Sequence, residues 1–163
     1  MHQSSMNMTE IERKLKQLGY DLPKVPMDMK FWARCSRVGK LVFMGTTGPW
    51  PILNKTVDGK LRGVIGKDVT VEEAKHTCRL AALSILSGLK NEFGDLDKID
   101  RIVKLEVYLS GMGGSPDPYV EVADAASELF IQLYGDNGRA TRTMTPNISD
   151  YIAEIDIVAS LKD

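Results

Sequence analysis

The sequence predicts an α+β fold, a mixed β-sheet with two long helices packed on one of its faces. Two stretches of unbroken helical periodicity, at 70–93 and 118–134, are each long enough to cross a sheet. Two others, at 99–110 and 152–161, alternate apolar and polar residues with the period of a strand. The order helix, strand, strand, short strand, helix, strand, helix, strand then puts both long helices on the same side, because sheet crossovers are right-handed. With 163 residues, 43% of them apolar, the chain has material for one real core, so we expect a single domain over 1–163.

The first element is a short helix at about 9–18. Thr9 and Glu12 form a capping box, Ile11, Leu15 and Leu18 recur at helical spacing, and Gly19 offers a left-handed stop. Pro23 and Pro26 hold the following connector extended. "FWARCSRVGKLVFMGTTG", 31–48, reads as a hairpin at about 31–47 turning at Val38-Gly39-Lys40. The next stretch carries Pro, Asn-Lys and Asp-Gly punctuation, so it is expected to loop, with a short strand near 61–65.

Helix 70–93 opens on a second capping box, Thr70 with Glu73. It carries a stripe of Ala74, Cys78, Ala81, Ile85, Leu89 and Phe93, and stops at Gly94. The strand "IDRIVKLEVYLS" is expected to place Val103, Leu105, Val107 and Leu109 on one face, with Ile102, Lys104, Glu106 and Tyr108 on the other. Asp117 and Pro118 suit the cap and first turn of helix 118–134, striped by Val122, Ala126, Leu129 and Leu133. In the terminal strand Ala153, Ile155, Ile157, Ala159 and Leu161 share one face. Ile152, Glu154, Asp156, Val158 and Ser160 share the other.

With both helices on one side, the second sheet face has nothing in the chain to cover it. It is expected to expose Ile102, Tyr108, Ile152 and Val158, and hence to drive a closed homo-oligomer.

Composition narrows the functional classes. Twenty-one basic against 22 acidic side chains leave a net charge of -1, which favours no nucleic-acid partner. Without an apolar run of about 18 residues, and with "MHQSSMNMTE" lacking a secretory core, we expect a soluble cytoplasmic protein with no membrane partner. Cys35 and Cys78 lack zinc-site spacing and read as free thiols, and no metal or cofactor is expected. "GMGGSP" has Pro116 where a dinucleotide loop needs its third glycine, and Leu61 occupies the first glycine position of a phosphate loop. His76, off the apolar stripe, reads as an exposed histidine, and the aspartates of "GDLDKIDR" as a polar turn.

What remains is the bracket around the last strand: Arg142 before it, with Glu154 and Asp156 on it. A guanidinium at a strand start is either a surface charge or a fork that clamps a carboxylate, and residue type alone leaves both open.

Four segments converge on one family: "RVGKLVFMGTTG"; the block from "IGKDVTVEEAKHTC" through "IDRIVKLEVYL"; "ASELFIQLYG"; and "GRATRTMTP" with "AEIDIVASL". From Phe31 to Leu161 the chain resembles the reactive intermediate deaminase (RidA, YjgF-like, endoribonuclease L-PSP) family. Residues 1–30 resemble the helical extension of its larger subgroup.

The resemblance implies a chorismate-mutase-like subunit assembled as a barrel-like homotrimer. It also implies intersubunit clefts in which a small carboxylate-bearing 2-imino or 2-enamino acid is hydrolysed to a 2-keto acid and ammonia. Arg142 falls on the family's carboxylate clamp and Glu154 on the acid that positions water, with Asp156 the other register for that acid.

Trp32, Met44, Gly45, Asp124, Thr143 and Met144 are implied as substrate-binding positions. Four depart from the usual residues: Trp32 stands for tyrosine, Met44 for serine, Asp124 for asparagine, and Met144 for cysteine or a small residue. The departures keep a non-catalytic metabolite-binding trimer as an alternative. An RNA-cleaving or translation-inhibiting role is a third, disfavoured by the neutral charge.

Overall fold

The computed structural model describes residues 8–55 and 57–163. The first seven residues of the expected extension, and most of the segment read for a secretory core, lie outside the described residues. The elements are α1 (Glu10–Gln17), β1 (Cys35–Val38), β2 (Leu41–Thr47), α2 (Trp50–Leu53), α3 (Val71–Phe93), β3 (Ile99–Leu109), α4 (Asp117–Tyr134), β4 (Thr141–Pro146) and β5 (Ala153–Leu161).

Five strands form one mixed sheet in the order β1-β2-β5-β3-β4. Only β3 and β4 run parallel, as expected for strands joined across a helix. β5, last in the chain, sits in the middle and pairs antiparallel with β2 and β3. α3 and α4 pack side by side, and their buried faces close the core over the strands.

Local signals set the helices. Thr70 and Glu73 exchange both bonds of a capping box, and Gly94 closes α3 at φ 78°. Thr9 and Glu12 do the same for α1. α4 differs from expectation by one position: Pro116 is its cap, Asp117 its first residue, and no side chain caps it. Proline fits the second helical position as well as the first, since neither amide has an intrahelical partner.

The strands differ more. β3 carries register shifts between Ile99 and Arg101 and between Ile102 and Lys104. These bulges exchange two side chains: Ile102 is buried in the core while Val103 is turned out. Ile152 is likewise core, so neither isoleucine belongs to the open face as the alternation had implied. No strand forms at 61–65. Two isolated bridges, Arg62 to Tyr151 and Ile65 to Val69, and the bonds Gly63 N–H to Asp150 O (2.9 Å) and Ile152 N–H to Leu61 O (3.0 Å) hold that segment.

α1 docks on the helical layer. Asp97 accepts from the Glu10 and Ile11 amides, both at 2.8 Å, and Lys14 Nζ donates to Leu133 O at 3.0 Å. Asp95 in turn accepts from the Asp97 amide at 2.7 Å. Asp95 and Asp97 of "GDLDKIDR" are thus structural caps, while Asp100 lies within β3. No helix among the described residues is long and apolar enough to cross a membrane.

Candidate functional site

The side chains singled out above fall on both faces of the sheet, on α4 and on the segment before β1. Arg142 lies on the edge strand β4, opposite Leu105, which is fully buried on the helix side. That side is confirmed by its partners on α4: Arg142 Nη1 donates to Asp124 Oδ1 at 2.6 Å and to Ser127 Oγ at 3.0 Å. Asp124 and Ser127 are three residues apart, so one helix face presents both. The ion pair is half-exposed, with side-chain accessibilities of 23% for Arg142 and 48% for Asp124. Nε and Nη2 of Arg142, and Oδ2 of Asp124, have no hydrogen-bond partner among the described residues.

Glu154 stands elsewhere. It pairs with Tyr108 across β5 and β3, on the open face, and accepts from Asn147 Nδ2 at 2.8 Å. Within one chain, therefore, Arg142 and Glu154 point to opposite sides of the sheet. The rows account for this: β4 presents Arg142 in the same row as Leu105, whereas Glu154 follows Tyr108.

Asp156 is two residues further along the same face, opposite Glu106. Its Oδ2 accepts from Tyr108 Oη at 3.0 Å, while its Oδ1 is buried without a partner. Burial first, then this bond to Asp156, holds the Tyr108 hydroxyl well above the ordinary phenol range. Glu106 accepts from Thr145 Oγ1 at 3.1 Å and faces Lys104 at 3.4 Å. Phe43, Gly45, Lys104, Glu106, Asp156 and Val158 line a shallow depression here.

The other expected positions divide as follows. Trp32 is half-exposed before β1, its ring 5.5 Å from the Arg34 guanidinium. Gly45 donates to Arg34 O at 3.0 Å in a bulged stretch of β2 between Met44 and Thr47. Met44 differs from the substrate-binding expectation: it is 1% exposed, and its Cε would lie 2.6 Å from a Cβ added at Gly88 of α3. The alternation of β2 commits that side chain to the core. Thr143 is exposed opposite Glu106, and Met144 is partly buried against the core on the Arg142 side.

Sequence reasoning overlooked Ser127 and Asn147, which hold the two chemical groups. Ser127 had a signal in its spacing from Asp124; Asn147 had none. It also overlooked Arg34, 3% exposed, which donates to Pro26 O at 2.7 Å and Thr47 Oγ1 at 3.1 Å. Arg34 pins the connector to β2, and its guanidinium also lies 5.4 Å from the Trp50 ring.

Thiol chemistry has poor material. Burial pushes Cys78 up to about 12, and burial, helped by Glu92, pushes Cys35 up to about 11. His76 is exposed, and no group of three potential metal ligands occurs among the described residues.

This arrangement of a five-stranded sheet under two helices is shared with solved structures. A "putative endoribonuclease" from Shewanella oneidensis MR-1 superposes with a TM-score of 0.81 at 28% identity, covering 95% of this chain and all of that one. Atu1372 from Agrobacterium tumefaciens, of unknown function, superposes at 0.78 with 28% identity over 94% of each chain.

Residues 12–159 match the family described as "YjgF/chorismate mutase-like, putative endoribonuclease", and the chain belongs to that family. Protein TCP17 of Trypanosoma cruzi is 33% identical over 87 residues. That match spans 53% of this chain and 54% of the relative, about half the length of each.

Proposed function

We propose that the protein hydrolyses 2-imino or 2-enamino acids to 2-keto acids and ammonia, in clefts between the copies of a homotrimer. The observation that carries this reading is Arg142: a guanidinium fixed along one edge by α4, with Nε and Nη2 left for a carboxylate. A bidentate, charge-assisted pair of that kind contributes about 1.5–3 kcal/mol.

The chemistry asks little else of the protein. The imine carbon is already electrophilic, so water adds its oxygen to C2, the C–N bond of the resulting carbinolamine breaks, and nitrogen departs as ammonia. An acid near that carbon holds the water and moves one proton. Glu154, held by Asn147, suits this role. Since Arg142 and Glu154 lie on opposite faces, they meet around one substrate only where two copies meet. The half-exposed Leu41 and Phe43 of the open face support such an assembly. No metal or cofactor enters this reading.

The test follows imino acids generated in situ by an amino-acid oxidase. Ammonia release by wild type, with a loss of about 10- to 100-fold in Arg142→Ala at unchanged oligomer mass, supports the reading. An inert wild type across small and large substrates overturns it.

A second reading, a trimer that binds a small carboxylate-bearing metabolite without turnover, draws on Asp124, which already occupies one edge of the arginine. Ligand-dependent thermal stabilisation without ammonia release would favour it. The ribonuclease or translation-inhibitor names carried by relatives fit less well, because Glu106, Glu154 and Asp156 make the open face acidic. A gel shift at low salt would revive them.

A further inference from the structure

We infer that Asp124 makes the Arg142 site selective for zwitterions, ligands carrying a carboxylate and, on the adjacent carbon, a positively charged nitrogen. The inference rests on the proposed carboxylate clamp and names the substrate class that clamp accepts.

The geometry is a pair of complementary loose ends. Arg142 uses Nη1 for both of its protein bonds, leaving the Nε/Nη2 edge free to take a carboxylate in two parallel hydrogen bonds. Asp124 uses Oδ1 for the arginine at 2.6 Å, leaving Oδ2 of the same carboxylate as an acceptor close to the guanidinium. Both groups are accessible, at 23% and 48% of the side chain. The ion pair therefore offers two donors and one anionic acceptor, with no net charge.

Such a site discriminates by sign. A simple carboxylate placed on the free edge would give the guanidinium two anionic partners, one of which must stay uncompensated; like charges brought together in a partly desolvated site repel. A ligand whose next carbon bears an ammonium or iminium gives Oδ2 a charged donor, so each charge is matched and the total stays at zero.

For an imino acid the consequence is chemical as well. Asp124 would favour the protonated C=NH2+ form, the more electrophilic one, over the neutral imine. An asparagine at this position would hold the arginine without this preference. Asp124 is thus the specificity-determining group and Ser127 the second tether that keeps Nη1 turned away from the ligand.

The experiment compares two isosteric ligands, alanine and lactate, which differ by an ammonium against a hydroxyl on the carbon next to the carboxylate. Affinities are measured by calorimetry on wild type, Asp124→Asn and Arg142→Ala. The expected result is alanine binding about 10-fold or more tightly over lactate in wild type, with the preference lost in Asp124→Asn because lactate gains and alanine weakens.

Equal binding of both ligands by wild type, abolished in Arg142→Ala, would overturn the zwitterion inference while upholding the carboxylate clamp. Binding of neither ligand would overturn both. The wild-type ratio decides the matter even should the asparagine variant fold poorly.

Discussion

The two faces of the sheet are built from the same five strands and have opposite fates. On the helix side Val42, Met44, Leu105, Val107, Leu109, Ile155 and Ile157 are no more than 3% exposed. On the other side Leu41 and Phe43 remain 42% and 43% exposed, beside three carboxylates and a tyrosine. The first face is finished by the chain itself, because α3 and α4 are long enough to cover it. The second is apolar where β2 and β5 meet and charged where β5 and β3 meet, a mixture suited to a partner that both buries and pairs.

The sharpest way to break this contrast is a core deletion. Leu105→Ala removes a fully buried side chain from the middle of the covered face and should cost about 2–5 kcal/mol in urea unfolding. A loss below about 1 kcal/mol would mean that face is less tightly closed than its burial indicates.

On the open face the effects should be smaller and of another kind. Tyr108→Phe removes the bond to Asp156, leaving that carboxylate without its one protein partner, and should cost about 1 kcal/mol. Phe43→Lys should change the stability of a subunit by no more than about 0.5 kcal/mol. The same variant should shift the mass seen by light scattering from oligomer to single chain. An unchanged mass would show that this face is not where copies meet.

The smallest effect belongs to the rim of the covering layer. Glu73 is held down to about 2, first by the Thr70 amide and then by Lys60, against an ordinary value of 4.5. A depressed carboxylate stabilises the fold above its unfolded pKa, and that contribution fades as pH falls from about 4.5 towards about 2. Glu73→Gln should therefore flatten the melting-temperature profile in that acid window and leave its shape near neutrality unchanged.

Legibility followed the same division. The caps of α1 and α3 were readable because each rests on two residues three apart, and β5 because its alternation is unbroken. β3 was half misread: a bulge is imposed by the partner strand, and nothing in "DRIVK" announces that Ile102 and Val103 exchange faces. The 61–65 segment took its shape from the turn at 64–69 and from residues 150–152, the latter far along the chain.

At the candidate site, the residue types were legible and their grouping was not. Arg142 and Asp124 are 18 residues apart, and only the packing of α4 on β4 makes them an ion pair. The pleat separates Arg142 from Glu154 in the same way, by assigning them to rows on opposite faces.

The position of β5 has a consequence for how the protein is made. β2 and β3 are not neighbours; β5, the last of the five in chain order, stands between them. While the ribosome is still delivering β4, the hairpin of β1 and β2 and the unit of β3, α4 and β4 have no backbone bonds to join them, and each presents a bare edge. Closure of the sheet must wait for β5, whose nine residues alone take about half a second to two seconds to add at ordinary rates of synthesis. A transcript or translation product that stops short of β5 therefore yields two sticky halves rather than a smaller working protein, and its disposal falls to chaperones and proteases.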